Sequence, residues 1–152
     1  GDKADPVFIT KIVDRDGKVL EENYPVVINV LSKGTAYIMT NLMEGVVQSG
    51  TGQGVKALGR PAAGKTGTTN DLSDAWFMGY TPDLVAGTWV GYDHMKPLGK
   101  AETGGRAAAP IWLKFMQGAV AGTPVKGFPV PDDVVFVKID KETGLLATAK
   151  SK

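Results

Sequence analysis

Lys65 stands inside two overlapping patterns that would put it to different chemistry. Gly59-Arg60-Pro61-Ala62-Ala63-Gly64-Lys65-Thr66 has the spacing of a phosphate-binding loop, G-x-x-x-x-G-K-[ST]. That loop works between a buried strand and a helix, because the helix N-terminus and the loop amides hold the phosphates. Here only Val55-Lys56-Ala57-Leu58 precedes it, and Gly67-Thr68-Thr69-Asn70-Asp71 is poor helix material, so nucleotide binding is not expected. The other pattern is Lys65-Thr66-Gly67-Thr68 on a strand. Side chains alternate along a strand, so Thr66 and Thr68 share a side and their two hydroxyls can grip one carboxylate. Lys65 adds a fixed positive charge that could hold the same carboxylate and organise a proton path. Gly67 faces the other way, lets the strand lie close to its neighbours, and leaves room for a short substrate to add along the edge as an extra strand. In isolation a Lys-Thr-Gly strand is most often a solvated edge, so its surroundings have to decide.

The other chemically able residues have plainer readings beside functional ones. His94 is the only histidine and falls in a loop, which suits a surface residue better than a general base. Asp74 reads as a strand or loop cap, or else as an organiser of the site. Gly104-Gly105 bends a loop bordering a cleft or is simply a turn. Trp76, Phe77, Trp89 and Trp112 are expected in the core.

The elements that must position these residues follow from pattern and punctuation. Val7 to Val13 and Lys18 to Glu21 read as strands of a hairpin turning at Asp14-Arg15-Asp16-Gly17. Ser32 caps a helix running to about Gln48, with Ile38, Met39, Leu42, Met43, Val46 and Val47 at helical spacing. Ser49-Gly50-Thr51-Gly52-Gln53-Gly54 breaks it. Ala62 to Thr69, Ala75 to Thr81 and Leu84 to Tyr92 are three strands joined by Asn70-Asp71-Leu72-Ser73 and Pro82-Asp83, which predicts an antiparallel meander. Pro110 opens a second helix whose wide apolar face is Ile111, Trp112, Phe115, Met116, Ala119 and Val120; Gly122 ends it. A last hairpin pairs Val134 to Ile139 with Leu145 to Thr148 through Asp140-Lys141-Glu142-Thr143-Gly144. The class is α+β, an antiparallel sheet flanked by helices.

Bulk properties narrow the functions. The 152 residues suit one domain, and a hydrophobic share of 43% permits a packed core. A net charge of +1 gives no reason to expect nucleic acid or an anionic membrane as partner. The absence of cysteine excludes disulfides and thiolate metal sites. No apolar run approaches the roughly 18 residues of a membrane span, and Gly1-Asp2-Lys3 reads as the start of a fragment. The 20 glycines and 9 prolines are dispersed, as expected where they punctuate short strands and turns.

The surroundings of Lys65 carry a resemblance. Gly64-Lys65-Thr66-Gly67-Thr68-Thr69-Asn70-Asp71, Asp74-Ala75-Trp76-Phe77 with Gly79-Tyr80-Thr81-Pro82, and Trp89-Val90-Gly91-Tyr92-Asp93 closely resemble the transpeptidase domain of class A, bifunctional, penicillin-binding proteins. So do Gly50-Thr51-Gly52, Thr103-Gly104-Gly105 and Ala108-Ala109-Pro110-Ile111-Trp112. The resemblance runs from Ile9-Thr10-Lys11-Ile12-Val13-Asp14 to Ile139-Asp140 and Thr143-Gly144.

It implies a penicillin-binding-protein/β-lactamase-like domain that cross-links peptidoglycan stem peptides ending in D-Ala-D-Ala through a serine acyl-enzyme, and that β-lactams acylate. It further implies catalytic roles for Lys65 and Thr68, the Thr68 N–H being one of two oxyanion donors, and substrate contacts from Thr66, Gly67 and Thr68. No cofactor and no metal are implied. Ser32, Ser49, Ser73 and Ser151 have no lysine three residues on, and no S-x-N occurs, so this chain is read as one wall of the site. Its partner is then an upstream part of the same domain carrying S-x-x-K and S-x-N. Residues 1–122 are taken as the transpeptidase segment and 123–152 as a tail. The implied location is the cell envelope, on the outer face of the cytoplasmic membrane. The alternatives are a non-catalytic stem-peptide binding module and a β-lactamase-type hydrolase fragment, against which the D-A-W-F and T-G-G-x-A-A-x-P segments argue.

Overall fold

Three antiparallel strands and one helix form the ordered centre of a computed structural model that describes residues 1–140 and 142–148. The chain divides into two compact units, Tyr37–Pro129 and a second made of Gly1–Ala36 with the residues from Val130 on.

In the first unit, β5 (Ala63–Thr68), β6 (Asp74–Tyr80) and β7 (Val85–Gly91) make a meander in the order β5-β6-β7, as the turn chemistry predicts. The register opposes Thr66 to Phe77 and Phe77 to Thr88. Alternation splits the sheet into two faces. Ala75 and Phe77 point to the side covered by α2 (Ala109–Ala119), where Phe77 meets Trp112 edge-on at 5.2 Å between ring centroids. Ala109, Trp112, Met116 and Val120, three or four residues apart, give that helix one buried stripe. The Trp112 indole N–H donates to the Ala86 carbonyl at 2.9 Å, so the large ring is buried without an orphan donor. Ile111 and Phe115 belong to the neighbouring stripe and are exposed, so the apolar face in contact is narrower than the sequence suggests.

Two of the four aromatics assigned to the core are not in it. Trp76 and Trp89 lie opposite each other on the outer face of the sheet, 43% and 46% exposed. The cause is the period of two: with Phe77 inward, its neighbour Trp76 must face out, and Trp89 pairs across from it.

Earlier in the chain, after the first four strands, comes α1 (Lys33–Gln48). Ser32 caps it, its hydroxyl accepting the Thr35 N–H at 3.1 Å. Of its six periodic apolar residues, only Val47 is fully buried. A short 3-10 helix (Gln53–Leu58) follows, ending at Gly59 with φ +73°, and the next residues run directly into β5. The segment after Lys65 is therefore strand, turn and strand. The phosphate-loop context is absent.

The second unit is built from short pairings. β1 (Asp2–Ala4) pairs antiparallel with β4 (Val27–Asn29), and β2 (Lys11–Val13) with β3 (Val19–Glu22). The hairpin turn is where the sequence puts it: the Asp14 carboxylate accepts the N–H groups of Asp16 and Lys18, both at 2.9 Å. The hairpin's first strand, Lys11–Val13, is shorter than the Val7–Val13 expected, with Thr10 adding one further backbone bond in the same register. The Thr10 carbonyl accepts the Asn23 N–H at 2.8 Å, and the Asn23 side-chain amide donates to the Ile9 carbonyl at 3.1 Å. In the tail, the expected hairpin shrinks to a single bridge, Ile139 to Leu146, around a turn in which Asp140 accepts the Thr143 N–H at 2.9 Å. Val135, Val137 and Leu145 are exposed, so no buried face extends the pairing into strands. Lys141 of that turn and residues 149–152 of the tail lie outside the described residues.

Candidate active-site wall

β5 is an edge strand, and its hydrogen-bond phase decides which atoms it offers. The Thr69 N–H donates to the Asp74 carbonyl at 3.1 Å. In an antiparallel ladder, bonded residues alternate, so Thr69, Gly67 and Lys65 spend their backbone groups on β6. The N–H and C=O groups of Thr66 and Thr68 therefore turn to the outer edge. No strand pairs with that edge among the described residues.

Side chains alternate the other way. Thr66 and Thr68 share the Phe77 side of the sheet, as expected, and Lys65 and Gly67 share the Trp76 side. Lys65 nevertheless reaches the edge, because its Nζ curls round to donate to the Thr66 carbonyl at 2.9 Å. Its ammonium group is exposed and pairs with no carboxylate among the described residues. An unneutralised cation beside outward-facing amides is an anion-attracting arrangement.

The two threonine hydroxyls are each fastened from a different segment. Thr66 Oγ1 lies 2.7 Å from Thr51 Oγ1, in a hydrogen bond either hydroxyl can donate. Thr68 Oγ1 accepts the Gly104 N–H at 3.0 Å and keeps its own proton for donation. The Thr103–Gly105 segment lies flat on the strand. A Cβ on Gly104 would stand 2.5 Å from the Gly67 carbonyl oxygen and collide with the Trp76 carbonyl, and one on Gly105 would collide with the Thr51 carbonyl. Gly104 also begins a single π turn, Gly104–Ala108, that leads into α2. Close packing against β5 and Thr51, beyond a simple turn, is what these glycines allow.

Asp74 opens β6 and ties the outer face together. Its Oδ1 accepts the Trp89 indole N–H at 2.8 Å and its Oδ2 the Ser73 hydroxyl at 3.2 Å. Trp89 in turn stands 6.3 Å from Trp76, centroid to centroid. In the turn before it, the hydroxyls of Thr69 and Ser73 hold the Asp71 carboxyl below the ordinary aspartate range. His94 sits exposed in the loop after β7, remote in sequence from the strand and on the surface. Among the described residues, no cluster of His, Cys, Asp or Glu is placed to hold a metal ion. A cavity of about 360 Å³ is lined by Arg60, Thr81, Asp83, Val120 and Lys126, among others, and by none of the Lys65 to Thr68 residues. Arg60 spends its guanidinium there on the carbonyl of Val120 at 3.1 Å and the hydroxyl of Thr123 at 2.9 Å, which closes off the end of α2.

The strand thus brings together Lys65, Thr66, Gly67 and Thr68 as the sequence suggests. Thr51, named in the sequence only within the Gly50-Thr51-Gly52 segment of the resemblance, is the participant to which sequence reasoning gives no role. Its signal is slight: one polar side chain between two glycines, directly after a helix.

Comparison with known proteins places the chain in a family. Residues 1–117 match the family model described as penicillin binding protein transpeptidase domain. The chain is 43% identical over 147 residues to penicillin-binding protein 1A of Aquifex aeolicus, covering 97% of this chain and 20% of that protein. It superposes on the crystal structure of penicillin-binding protein 1A from Haemophilus influenzae with a TM-score of 0.85 and 27% identity, over 98% of this chain and 28% of that one. It is also similar to the D,D-transpeptidase domain of a peptidoglycan glycosyltransferase from Eggerthella lenta, with a TM-score of 0.54 and 28% identity over 74% of this chain and 27% of that one. The chain spans about a fifth of the length of the Aquifex relative.

Proposed function

The chain belongs to the penicillin-binding protein transpeptidase domain family, and on that premise we propose that it supplies the Lys-Thr-Gly wall of a serine D,D-transpeptidase site. The substrate is a peptidoglycan stem peptide ending in D-Ala-D-Ala, and β-lactams enter as its mimics. The nucleophilic serine is assigned to sequence outside these residues, since no S-x-x-K occurs within them. The same holds for S-x-N and for a glycan-polymerising domain. In this reading, residues 1–122 form the transpeptidase segment and 123–152 a tail. The parent protein works at the outer face of the cytoplasmic membrane.

The roles follow from the edge. A serine hydroxyl attacks the carbonyl of the penultimate D-Ala. The carbonyl oxygen becomes an oxyanion, the C–N bond breaks, and the terminal D-Ala leaves with the proton. An amine of a neighbouring stem then displaces the serine. The Thr68 N–H, turned to the outer edge, donates to the oxyanion. Thr66 and Thr68 hydroxyls, with the Lys65 charge, hold the terminal carboxylate and keep the peptide extended along β5. Gly67 adds no side chain to obstruct that approach.

The observation that carries the reading is that, among the described residues, the β5 edge pairs with no strand and the backbone groups of Thr66 and Thr68 are directed outward beside a lysine that no carboxylate neutralises. Labelled penicillin and intact-mass measurement test it. A protein that joins this chain to its S-x-x-K segment is expected to gain one acyl mass, and the chain alone none. A stoichiometric adduct on the chain alone, or none on the joined protein, would sink the assignment.

A further inference from the structure

We propose that Thr51 is a positioning residue for the Thr66 hydroxyl, aiming its proton at an incoming carboxylate and so setting a preference for substrates with a free acid. The inference rests on the transpeptidase reading of β5 and deepens it.

The backbone around Thr51 is held on both sides. The N–H groups of Gly50 and Gly52 both donate to the Val46 carbonyl, each at 3.1 Å, which folds the segment back on the last turn of α1. Gly52 is buried, and a Cβ there would come within 3.1 Å of the Phe77 ring. Gly105 is packed against the Thr51 carbonyl. What this leaves exposed is the Thr51 side chain, whose hydroxyl lies 2.7 Å from that of Thr66. A segment pinned this closely delivers that hydroxyl to one place.

The two hydroxyls share two protons and one hydrogen bond, so one proton remains to be given away. A carboxylate only accepts. When it arrives at the edge, the favourable order is Thr51 donating to Thr66 and Thr66 donating to the carboxylate. Each bond in such a chain polarises the next, and the fixed Thr51 keeps Thr66 from turning its proton elsewhere. Without Thr51, the Thr66 hydroxyl still exists, but its direction is no longer set. The pair is neutral, so its benefit depends on the ligand being a strong acceptor. A substrate whose carboxylate is masked as a methyl ester gains much less from it.

The test uses the full protein bearing this segment together with its nucleophile. Acylation is followed with a D-Ala-D-Ala-ending substrate and with its methyl ester. Thr51→Val, which keeps the shape and removes the hydroxyl, is expected to lower kcat/KM for the free acid by about 3- to 10-fold, mostly through KM. The ester's kcat/KM should hardly move, and Thr51→Ser should restore the acid. In a Thr66→Val background, the Thr51→Val change should add little, because its effect passes through Thr66. Equal losses for acid and ester, no loss at all, or full additivity with Thr66→Val would each overturn the proposal while leaving the site assignment standing. A wild-type protein that neither substrate acylates would instead overturn the site assignment itself.

Discussion

Every fully buried apolar side chain described lies in the unit Tyr37–Pro129, from Val47 to Val120. The unit made of Gly1–Ala36 and the residues from Val130 on has none. It holds its shape through short ladders and side-chain-capped turns such as those at Asp14 and Asp140. Most of its large apolar residues, among them Phe8 at 95% exposure, are exposed. The contrast separates two ways of specifying structure. Hydrogen-bonded turns suffice to define local conformation, but they add little net stability, since water offers the unfolded chain similar bonds. Burial supplies the driving force. The strand that carries the candidate site belongs to the unit with the core, where Phe77, Trp112 and Met116 back the same sheet whose edge is left open.

The sharpest break of this contrast would come from core truncation. Trp112→Ala is expected to cost about 3–5 kcal/mol in denaturant unfolding of the chain, the range for a large buried aromatic. Phe8→Ala should stay within about 0.5 kcal/mol. Similar losses would mean that the first strands contribute a core of their own.

Next in size is Lys65→Ala, read as acylation in a protein that carries the nucleophile. The expected fall is on the order of 10²–10³, by analogy with loss of a group that stabilises developing charge. The unfolding midpoint should not change, because Lys65 is exposed. Thr68→Ala keeps the backbone donor and should cost less. A wild-type acylation rate in Lys65→Ala would remove β5 from the site.

Gly104→Ala probes where the two regions' styles meet, since a hydrogen bond and close packing coincide there. The added methyl has no room against the Gly67 and Trp76 carbonyls, so a loss of about 1–3 kcal/mol is expected, with a slower acylation to match. Unchanged melting would show that the Thr103–Gly105 segment rests only loosely on the strand.

The smallest effect concerns pH. The Asp71 carboxyl lies below its ordinary value because of the Thr69 and Ser73 hydroxyls. A lowered folded-state value means that the turn gains stability once the pH is above the unfolded-state value, and loses it as pH falls through the folded one. An NMR titration should place the Asp71 midpoint below that of an aspartate in an unstructured peptide. A midpoint at or above it would contradict the turn's hydrogen bonds.

Where local chemistry and topology coincide, the sequence is legible. Asn70 to Ser73 and Pro82-Asp83 join strands adjacent in the chain and adjacent in space, so β5 to β7 can be read directly. Ser32 and Pro110 mark helix starts for reasons internal to one turn. The pairing of Asp2–Ala4 with Val27–Asn29 has no such signature, because 20 or more residues separate partners that share only the ladder. Trp76 and Trp89 mislead because size and apolarity suggest burial while strand phase dictates the face. The Lys65 to Thr68 motif can be found from residue types. Thr51 cannot, since its part depends on a turn that brings one hydroxyl to another across 15 positions of sequence.

The outward carbonyl of Thr66 has a consequence for solubility. An exposed, unpaired strand edge is a template on which any extended chain, including another copy of this one, can add and begin an aggregate. Charged side chains, lysine above all, are a usual guard against such pairing, and here the guard is Lys65 itself, whose ammonium group occupies the Thr66 carbonyl. A variant that neutralises position 65 removes that guard. Light scattering by Lys65→Ala should then rise with concentration more steeply than for the parent chain, so its kinetics are best measured dilute.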